Sequence, residues 1–402
     1  MFGHVLLFVT VFGLLTSTVY LGIVAVAALR FWSRVRKPNA DVIADLPSVT
    51  LLKPLHGMEP RLRQNLESFF RQTYRNYEII FGARTAHDPA LAVVEDLRRA
   101  YPSVPAKIVI SGEPQWPNAK VCNLHKMLSA ASHQYLIISD SDVKVPPDYI
   151  LHVLPPLLQR DIGMVTCLYR GVPTRGLWAR LEALGMSVEM TSGVLAADML
   201  EGMKFALGPT MALRRDVLDA IGGFAAVADY FADDFILGNR IAEAGYKVVL
   251  SNCIVEHLVI NESIATSLHH QLRWAKSIRL SRPKGHFGTG LTFAVPFGVL
   301  GLIGALLGRA PALGFALLGA AFLNRVMQSW LVGWGVVRDR RALSWAWLYP
   351  LRDLLGFCFW FSSYFGGRRT TWRGDRYVLQ TGGRMVREIP LASAVGSEHI
   401  PA

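Results

Sequence analysis

Tyr135-Leu136-Ile137-Ile138-Ser139-Asp140-Ser141-Asp142-Val143 is the stretch on which the fold turns. Tyr135 to Ile138 is an apolar run that suits a buried parallel strand, and it stops on two carboxylates one residue apart. In an open α/β sheet, ligands sit outside the carboxyl ends of strands. Side chains two apart on an extended chain point the same way. Asp140 and Asp142 can therefore share one divalent cation, or one can hold it while the other takes a ligand hydroxyl. Oxygen ligands select Mg²⁺ or Mn²⁺, which commonly bridge phosphate oxygens. An Asx turn or helix cap leading into Pro146-Pro147 explains the same residues with no ligand at all.

Upstream, the pattern repeats. Val49-Thr50-Leu51-Leu52 is a β-prone run ending at Lys53-Pro54, and Arg61 to Tyr74 reads as a helix with Leu62, Leu66, Phe69 and Phe70 on one face. Tyr77 to Gly82 is a second strand that runs into Ala86-His87-Asp88-Pro89. Asp88 is thus a second acid at a strand end, or the start of an Asp-Pro turn. Leu91 to Tyr101 reads as a helix and Ala106 to Ile110 as a third strand. Asn118, Lys120 and Asn123 then follow Trp116-Pro117, either facing a phosphate or opening a solvated helix. The order β-α-β-α-β-α-β predicts a Rossmann-like parallel sheet.

Downstream, Gly163 to Tyr169 and Val248 to Val255 read as strands, and Leu177 to Leu200 as a helix that packs in the core or against lipid. Gly208-Pro209-Thr210 is a turn that can shape a pocket for an acceptor. Asp233 and Asp234 precede the apolar-periodic residues Ile236, Leu237 and Ile241. They either cap that helix or supply a general base, because adjacent carboxylates oppose each other's ionisation and raise a pKa. Ile264 to Leu280 reads as a basic amphipathic helix containing His270-Gln271-Leu272-Arg273-Trp274. It either lies on a membrane surface or turns Arg273 toward a leaving diphosphate.

Of the 402 residues 51% are hydrophobic, and they cluster at the N-terminus and in the last third. The roughly 250 residues between suit one α/β domain. Val5 to Leu29 carries no charge and is long enough to cross a bilayer core of roughly 30 Å. Arg30, Arg34, Arg36 and Lys37 follow it, which places the N-terminus outside and the middle of the chain in the cytoplasm. Gly288 to Leu307 and Ala312 to Val337 can also span, whereas Trp345 to Gly366 is interrupted by Pro350, Arg352 and Asp353 and reads as interfacial or re-entrant. Three spans are expected, with four as the alternative. The division is residues 1–30 anchor, 31–48 linker, 49–285 cytoplasmic catalytic domain, 286–367 membrane and interfacial helices, and 368–402 basic tail, with Leu391 to Ala402 a loose end. The formal charge of +12 goes with cytoplasmic flanks and anionic lipid. No motif for nucleic acid is present, which discounts that partner. The four cysteines have no metal-ligand spacing.

Asp88, Asp140-Ser141-Asp142, Asp233-Asp234 and Arg273-Trp274, in this order between apolar ends, resemble the membrane-bound inverting glycosyltransferases of GT-A fold, whose signature is D, DxD, D and (Q/R)xxRW. With Leu51-Leu52-Lys53-Pro54, Asn65-Leu66-Glu67-Ser68-Phe69-Phe70 and Arg214-Arg215-Asp216, the chain is most similar to glycosyltransferase family 21, the ceramide glucosyltransferases and their bacterial hopanoid-biosynthesis relatives. The resemblance implies a UDP-sugar held by Asp88, with Lys53 and Lys120 also at the donor. It implies a Mg²⁺ or Mn²⁺ on Asp140 and Asp142, and Asp234 as the base that deprotonates a lipid hydroxyl. Arg273 and Trp274 would sit against the leaving UDP and the acceptor, with Asp233, His270 and Gln271 in support. It implies a multi-pass protein of the bacterial inner membrane, its catalytic domain cytoplasmic, acting on ceramide or a hopanoid. His270 stands where the signature has Gln or Arg, and Gln271 is one residue late. The full D-x-D points to the bacterial branch, since the animal ceramide enzymes have Gly at the second acid; the sugar is glucose or N-acetylglucosamine. A processive polysaccharide synthase is the competing enzyme. A phosphoryl transferase lacks its G-x-x-x-x-G-K loop here. The apolar segments alone permit a non-enzymatic membrane scaffold or transporter, but a transporter would need more spans and intramembrane polar pairs.

Overall fold

A computed structural model describes residues 2–34, 46–261, 263–365, 367–372 and 375–388. Arg36, Lys37, most of the expected linker and the expected loose end at Leu391 to Ala402 lie outside the described residues. The first helix, α1, runs Phe2–Ser33. Strands β1 (Val49–Pro54), β2 (Tyr77–Ala83), β3 (Ala106–Ile110) and β4 (Tyr135–Ile138) alternate with helices α2 (Leu62–Phe70), α3 (Ala90–Ala100) and α4 (Ala119–Ala130). They lie in the order β3-β2-β1-β4, all parallel, as the sequence predicts. β1 and β2 are buried along their whole length, which is why they read as largely apolar runs instead of alternating ones; their polar members Thr50 and Glu78 bond each other across the pair at 2.8 Å. On α2, Leu62, Leu66, Phe69 and Phe70 form the buried stripe.

The second half of the sheet is mixed. After the two-residue strand β5 (Val143–Lys144), the long strands β6 (Ile162–Pro173) and β8 (Lys247–Val259) pair parallel to one another. Strand β7 (Met211–Arg214) lies between β4 and β6 and runs antiparallel to both, so the full order is β3-β2-β1-β4-β7-β6-β8-β5. This reversal places the turn that leads into β7 at the carboxyl end of β4. β5 pairs antiparallel with the far end of β8, setting Val143 beside His257.

Between β6 and β7 the chain is helical through Gly176–Leu184, a π-helical turn Gly185–Met190, and Thr191–Glu201; we call these together α5. Helix α6 (Asp233–Glu243) precedes β8, and α7 (Ile264–Ser281) follows it. Next come α8 (Pro283–Thr289), α9 (Val295–Leu307), α10 (Pro311–Gln328, continuing as a π-helical turn Ser329–Trp334) and α11 (Tyr349–Ser362).

Among the described residues two helices are long and apolar enough to cross a bilayer, Phe2–Ser33 and Pro311–Trp334. The expected span from Gly288 to Leu307 is helical only over the 13 residues of α9, about 20 Å at 1.5 Å per residue. Its start is set by Pro296 in the first turn and by Asp353, whose Oδ2 accepts the N–H groups of Ala294 and Val295 at 3.0 and 2.8 Å. Asp353 also meets Arg325 Nη1 at 3.2 Å, and both side chains are almost fully enclosed. The polar residues that interrupt the apolar C-terminal third thus lock α9, α10 and α11 together. α1 packs along α9, where Gly301 makes room for Thr10.

Where the sequence suggests only a basic tail, β9 (Arg369–Trp372), β10 (Asp375–Leu379) and β11 (Met385–Arg387) form an antiparallel sheet. It is stitched to the α/β part of the chain by Phe231 N–H to Gly383 O (3.1 Å), Met385 N–H to Asp229 O (2.8 Å) and Gly382 N–H to Leu280 O (3.1 Å).

Candidate active site

The two acidic motifs meet at the carboxyl end of β4. Asp140 follows β4 directly, and the turn before β7 brings Gly208 alongside it. Gly208 donates its N–H to Asp234 Oδ2 at 2.7 Å, and Asp234 Oδ1 accepts the N–H of Phe235 at 2.7 Å. A Cβ on Gly208 would lie 3.1 Å from Asp234 Oδ2 and 3.2 Å from Asp140 Oδ2. The absent side chain leaves the space in which these carboxylates face a common point. Ala232, not either acid, takes the cap position of α6, so Asp233 and Asp234 form the first turn, where negative charge is favoured by the helix dipole.

Lys120, in the first turn of α4, crosses to this cluster. Its Nζ lies 2.8 Å from Asp140 Oδ1 and 3.4 Å from Asp233 Oδ2. Burial alone would lower Lys120; the charges of Asp140, Asp233 and Asp234 outweigh it and hold the ammonium well above the usual lysine value. Burial would likewise raise Asp140, but Lys120 and then Lys53 keep it below the usual carboxylate range. Asp234 is left over. Burial, then the neighbouring charge of Asp233, raise it to about 6 against a weaker opposing pull from Lys120. With Lys120 drawn to Asp140 and Asp233, the third carboxyl titrates near neutrality.

Lys53 lies behind the turn. Its fully enclosed Nζ donates to Ser139 Oγ at 3.3 Å and to Asp140 O, 3.7 Å from the centre of the Phe69 ring. Burial lowers it to about 7, against the opposing pull of Asp140 and Asp142. Asp140 to Asp142 form a tight turn instead of an extended chain, so the two acids part. Asp140 faces Lys120, while Asp142 Oδ2 faces His257 Nε2 at 3.5 Å. Asp142 Oδ1 and His257 Nδ1 are buried with no hydrogen-bond partner. Among the described residues no three His, Cys, Asp or Glu side chains converge on one point. The donor set is instead a carboxylate and an imidazole with open valences, which fits a small divalent cation that completes its shell with phosphate oxygens and water.

Asp88 accepts the N–H of Gly57 at 3.1 and 3.0 Å and that of Ala90 at 2.9 Å, tying the loop after β1 to the start of α3. Between these strand ends a narrow crevice of about 50 Å³ is lined by His56, Arg84, Gly112 and Lys120, and by Trp372, Asp375 and Tyr377 of the C-terminal sheet. Asn118 caps α4 through Val121 N–H (3.1 Å) and donates to Tyr230 O (2.9 Å); Asn123 donates to Gly82 O at 2.7 Å.

α7 has two working faces. Arg273, stacked 5.6 Å from the Phe231 ring, lines a basic cavity of about 730 Å³ with Lys276, Arg369 and Arg376. Trp274 and Gln271 face the other way, into an apolar cavity of about 440 Å³ between α5, α8 and α11. His270 Nδ1 lies 2.7 Å from Glu182 Oε1, and its ring 4.6 Å from that of Trp274; Gln271 donates to Ser267 Oγ at 2.9 Å. Despite its burial, Glu182 is kept below the usual glutamate range by His270, Ser267 and Asn261.

Sequence reasoning missed His257, because only the antiparallel β5–β8 pairing carries it to Asp142. It also missed the Trp372 wall of the crevice, although the β-branched and aromatic run Thr370-Thr371-Trp372 and the turn at Gly382-Gly383 were a hairpin signal.

A mixed sheet with two acidic motifs at the carboxyl end of its central strand defines a GT-A-type glycosyltransferase. The sequence pattern of glycosyl transferase family 21 matches residues 8–385, and the chain belongs to that family. It is 30% identical over 207 residues to ceramide glucosyltransferase 1 of Caenorhabditis elegans, covering 51% of this chain and 44% of that protein. It is 22% identical over 269 residues to the beta-monoglucosyldiacylglycerol synthase of Nostoc sp., covering 65% and 55%. The chain spans about half the length of the curated relatives it matches. A solved structure, the mannosyltransferase PcManGT of Pyrobaculum calidifontis in complex with GDP-Man and Mn²⁺, aligns with 87% of this chain and 99% of its own at 17% identity and a TM-score of 0.47.

Proposed function

We propose that this chain is a membrane-held inverting glycosyltransferase. It moves a single sugar, glucose or N-acetylglucosamine, from a UDP-sugar to a hydroxyl of a lipid, ceramide or a hopanoid. The observation that carries this reading is Asp234: a half-buried carboxyl raised to about 6, set across the Gly208 gap from Asp140 at a strand end. Asp234 takes the proton of the acceptor hydroxyl while that oxygen bonds to the anomeric carbon. The carbon's bond to UDP breaks in the same displacement, which inverts the centre. Lys120 and Arg273 supply positive charge for the leaving diphosphate, and Lys53 holds the Asp140 turn in place behind them. Asp88 shapes the uridine end, and Trp274, aligned by His270, faces the acceptor. Gln271 lines that same cavity, and Asp233 keeps Lys120 close to Asp234.

Asp142 and His257 would hold Mg²⁺ or Mn²⁺, with Asp140 Oδ2 beside them. Such a cation supplies further charge stabilisation to the departing phosphates. The membrane reading rests on α1 and Pro311–Trp334. Arg30 and Arg34 at the end of α1 support a cytoplasmic catalytic domain on a bacterial inner membrane. In this reading residues 1–30 anchor, 49–285 catalyse and 286–367 hold the domain at the bilayer.

The test is purified protein in detergent with UDP-glucose or UDP-N-acetylglucosamine and ceramide or a polyhydroxylated hopanoid, with products read by mass spectrometry. A lipid carrying one added hexose or N-acetylhexosamine is expected. A ladder of sugar units would mean a polysaccharide synthase and overturn the single-transfer reading.

A further inference from the structure

The apolar cavity beside Trp274 has a polar floor that the reaction does not use. Arg352 of α11 and Glu189 of the π-helical turn in α5 face each other there, with Nη2 and Oε2 2.8 Å apart. The pair is charge-matched but not saturated. Arg352 Nε and Nη1 are shut off from water and make no hydrogen bond, and neither does Gln271 Oε1 on the same wall; Glu189 Oε2 has the Arg352 Nη2 ion pair alone. The Arg352 side chain is only 10% exposed. Buried polar atoms left in this state cost free energy unless something pairs with them. The neighbouring Arg325–Asp353 pair has no such deficit: Arg325 bonds Asn324 Oδ1, Thr292 O and Asp353, and Asp353 caps α9.

The space around the open pair is kept by glycine. A Cβ on Gly185 would lie 2.3 Å from Arg352 Nε, and one on Gly356 would lie 3.3 Å from both Glu189 Oε2 and Arg352 Nη1. The cavity also reaches the chemistry. Phe205 on its wall stacks 5.7 Å from Phe235, the residue after the proposed base. At the other side it meets Tyr20 of α1, so a chain lying along that helix can enter it.

We propose that this cavity is the acceptor site and that Glu189, Arg352 and Gln271 select the acceptor by its hydrogen bonds; this rests on the lipid-glycosyltransferase reading above. Gln271 Oε1 requires a donor from the ligand, and Arg352 Nε and Nη1 require an acceptor. An amide, or a second hydroxyl beside the reacting one, brings both. A glycerol esterified at its other two positions brings acceptors but no donor beyond the reacting hydroxyl, and leaves Gln271 unmet. The site therefore discriminates for a lipid whose backbone carries an additional N–H or O–H.

Full-length protein in detergent is titrated with N-hexanoylsphingosine and with 1,2-dioctanoylglycerol, without sugar donor. Binding is followed by the fluorescence of the cavity tryptophans. Wild type is expected to bind the amide lipid at least tenfold more tightly. In Glu189→Met/Arg352→Met, which removes both partners for apolar groups of similar size, the ratio falls to about one while UDP affinity and melting temperature hold. Gly356→Val, which crowds the pair but keeps its charges, should cut the ratio in the same direction and serves if the double variant does not fold. Equal binding of the two lipids by wild type, or an undiminished ratio in the folded variants, overturns the proposal. A wild type that prefers the amide lipid yet glycosylates neither lipid overturns the proposed reaction and leaves the selection standing. Equal transfer to both lipids without a binding preference does the reverse.

Discussion

Two buried charge clusters, one at the sheet edge and one among the C-terminal helices, are built on opposite principles. At the sheet edge Lys120 faces Asp140 and Asp233, and Asp234 is surplus, so its proton is held more tightly than an ordinary carboxyl's and leaves only near neutral pH. Among the helices Arg325 and Asp353 match in charge and every polar side-chain atom of the pair is hydrogen-bonded. In the proposed reaction the first cluster is a reagent, and the second is a clasp. On that reading the same residue types serve chemistry or rigidity according to whether the charge count closes.

Removing the surplus acid should have the largest effect. Asp234→Asn is expected to lower kcat by about 10²–10⁴-fold, with an unchanged melting temperature, in a UDP-release assay. Near-normal turnover would make the sheet-edge cluster another clasp. Arg325→Met should do the converse. Leaving Asp353 buried and unpaired costs about 3–5 kcal/mol of stability, read as a large drop in melting temperature, while the protein that remains folded keeps its KM for UDP-sugar. A loss of turnover without loss of stability would break the contrast.

A smaller effect tests the metal donors. EDTA should abolish activity, Mn²⁺ or Mg²⁺ should restore it, and His257→Ala should raise the Mn²⁺ needed for half-maximal rate about 10–100-fold. EDTA-resistant turnover would remove the role given to Asp142 and His257. The finest test is in the pH profile. Asp234 is raised by burial and by Asp233, and it acts as a base only when ionised. kcat/KM should therefore rise as pH climbs through about 6 and be lost below it. Asp233→Asn removes the neighbouring negative charge, so the acid limb should move to lower pH; a limb that moves upward would mean Asp233 itself is the titrating base.

Much of this was legible in the chain because it is local. β1 to β4 announce themselves as apolar runs, and Asp140 and Asp234 as acids at element ends. The helical periodicity of α2 is plain in Leu62, Leu66, Phe69 and Phe70. What stayed hidden depends on chain reversal. An extended reading gave Asp140 and Asp142 a shared direction, but they sit in a turn and part. Lys120 reads as an exposed helix start until α4 is folded against α6. Nothing local says that β7 runs antiparallel, yet that reversal alone brings Gly208 between the two acids. Asn324 and Arg325 look like flaws in a span until Asp353 is packed against them. The apolar run before Leu307 overstated its helix because hydropathy does not register where a cap begins one.

The C-terminal sheet also bears on timing. Gly383 and Met385 bond the loop, Asp229 to Phe231, that leads into Asp233 and Asp234, and Trp372 and Tyr377 wall the crevice beside Lys120. On the ribosome, these strands emerge only after helices α7 to α11 have been made. This wall of the crevice is therefore the last part of it to be synthesised.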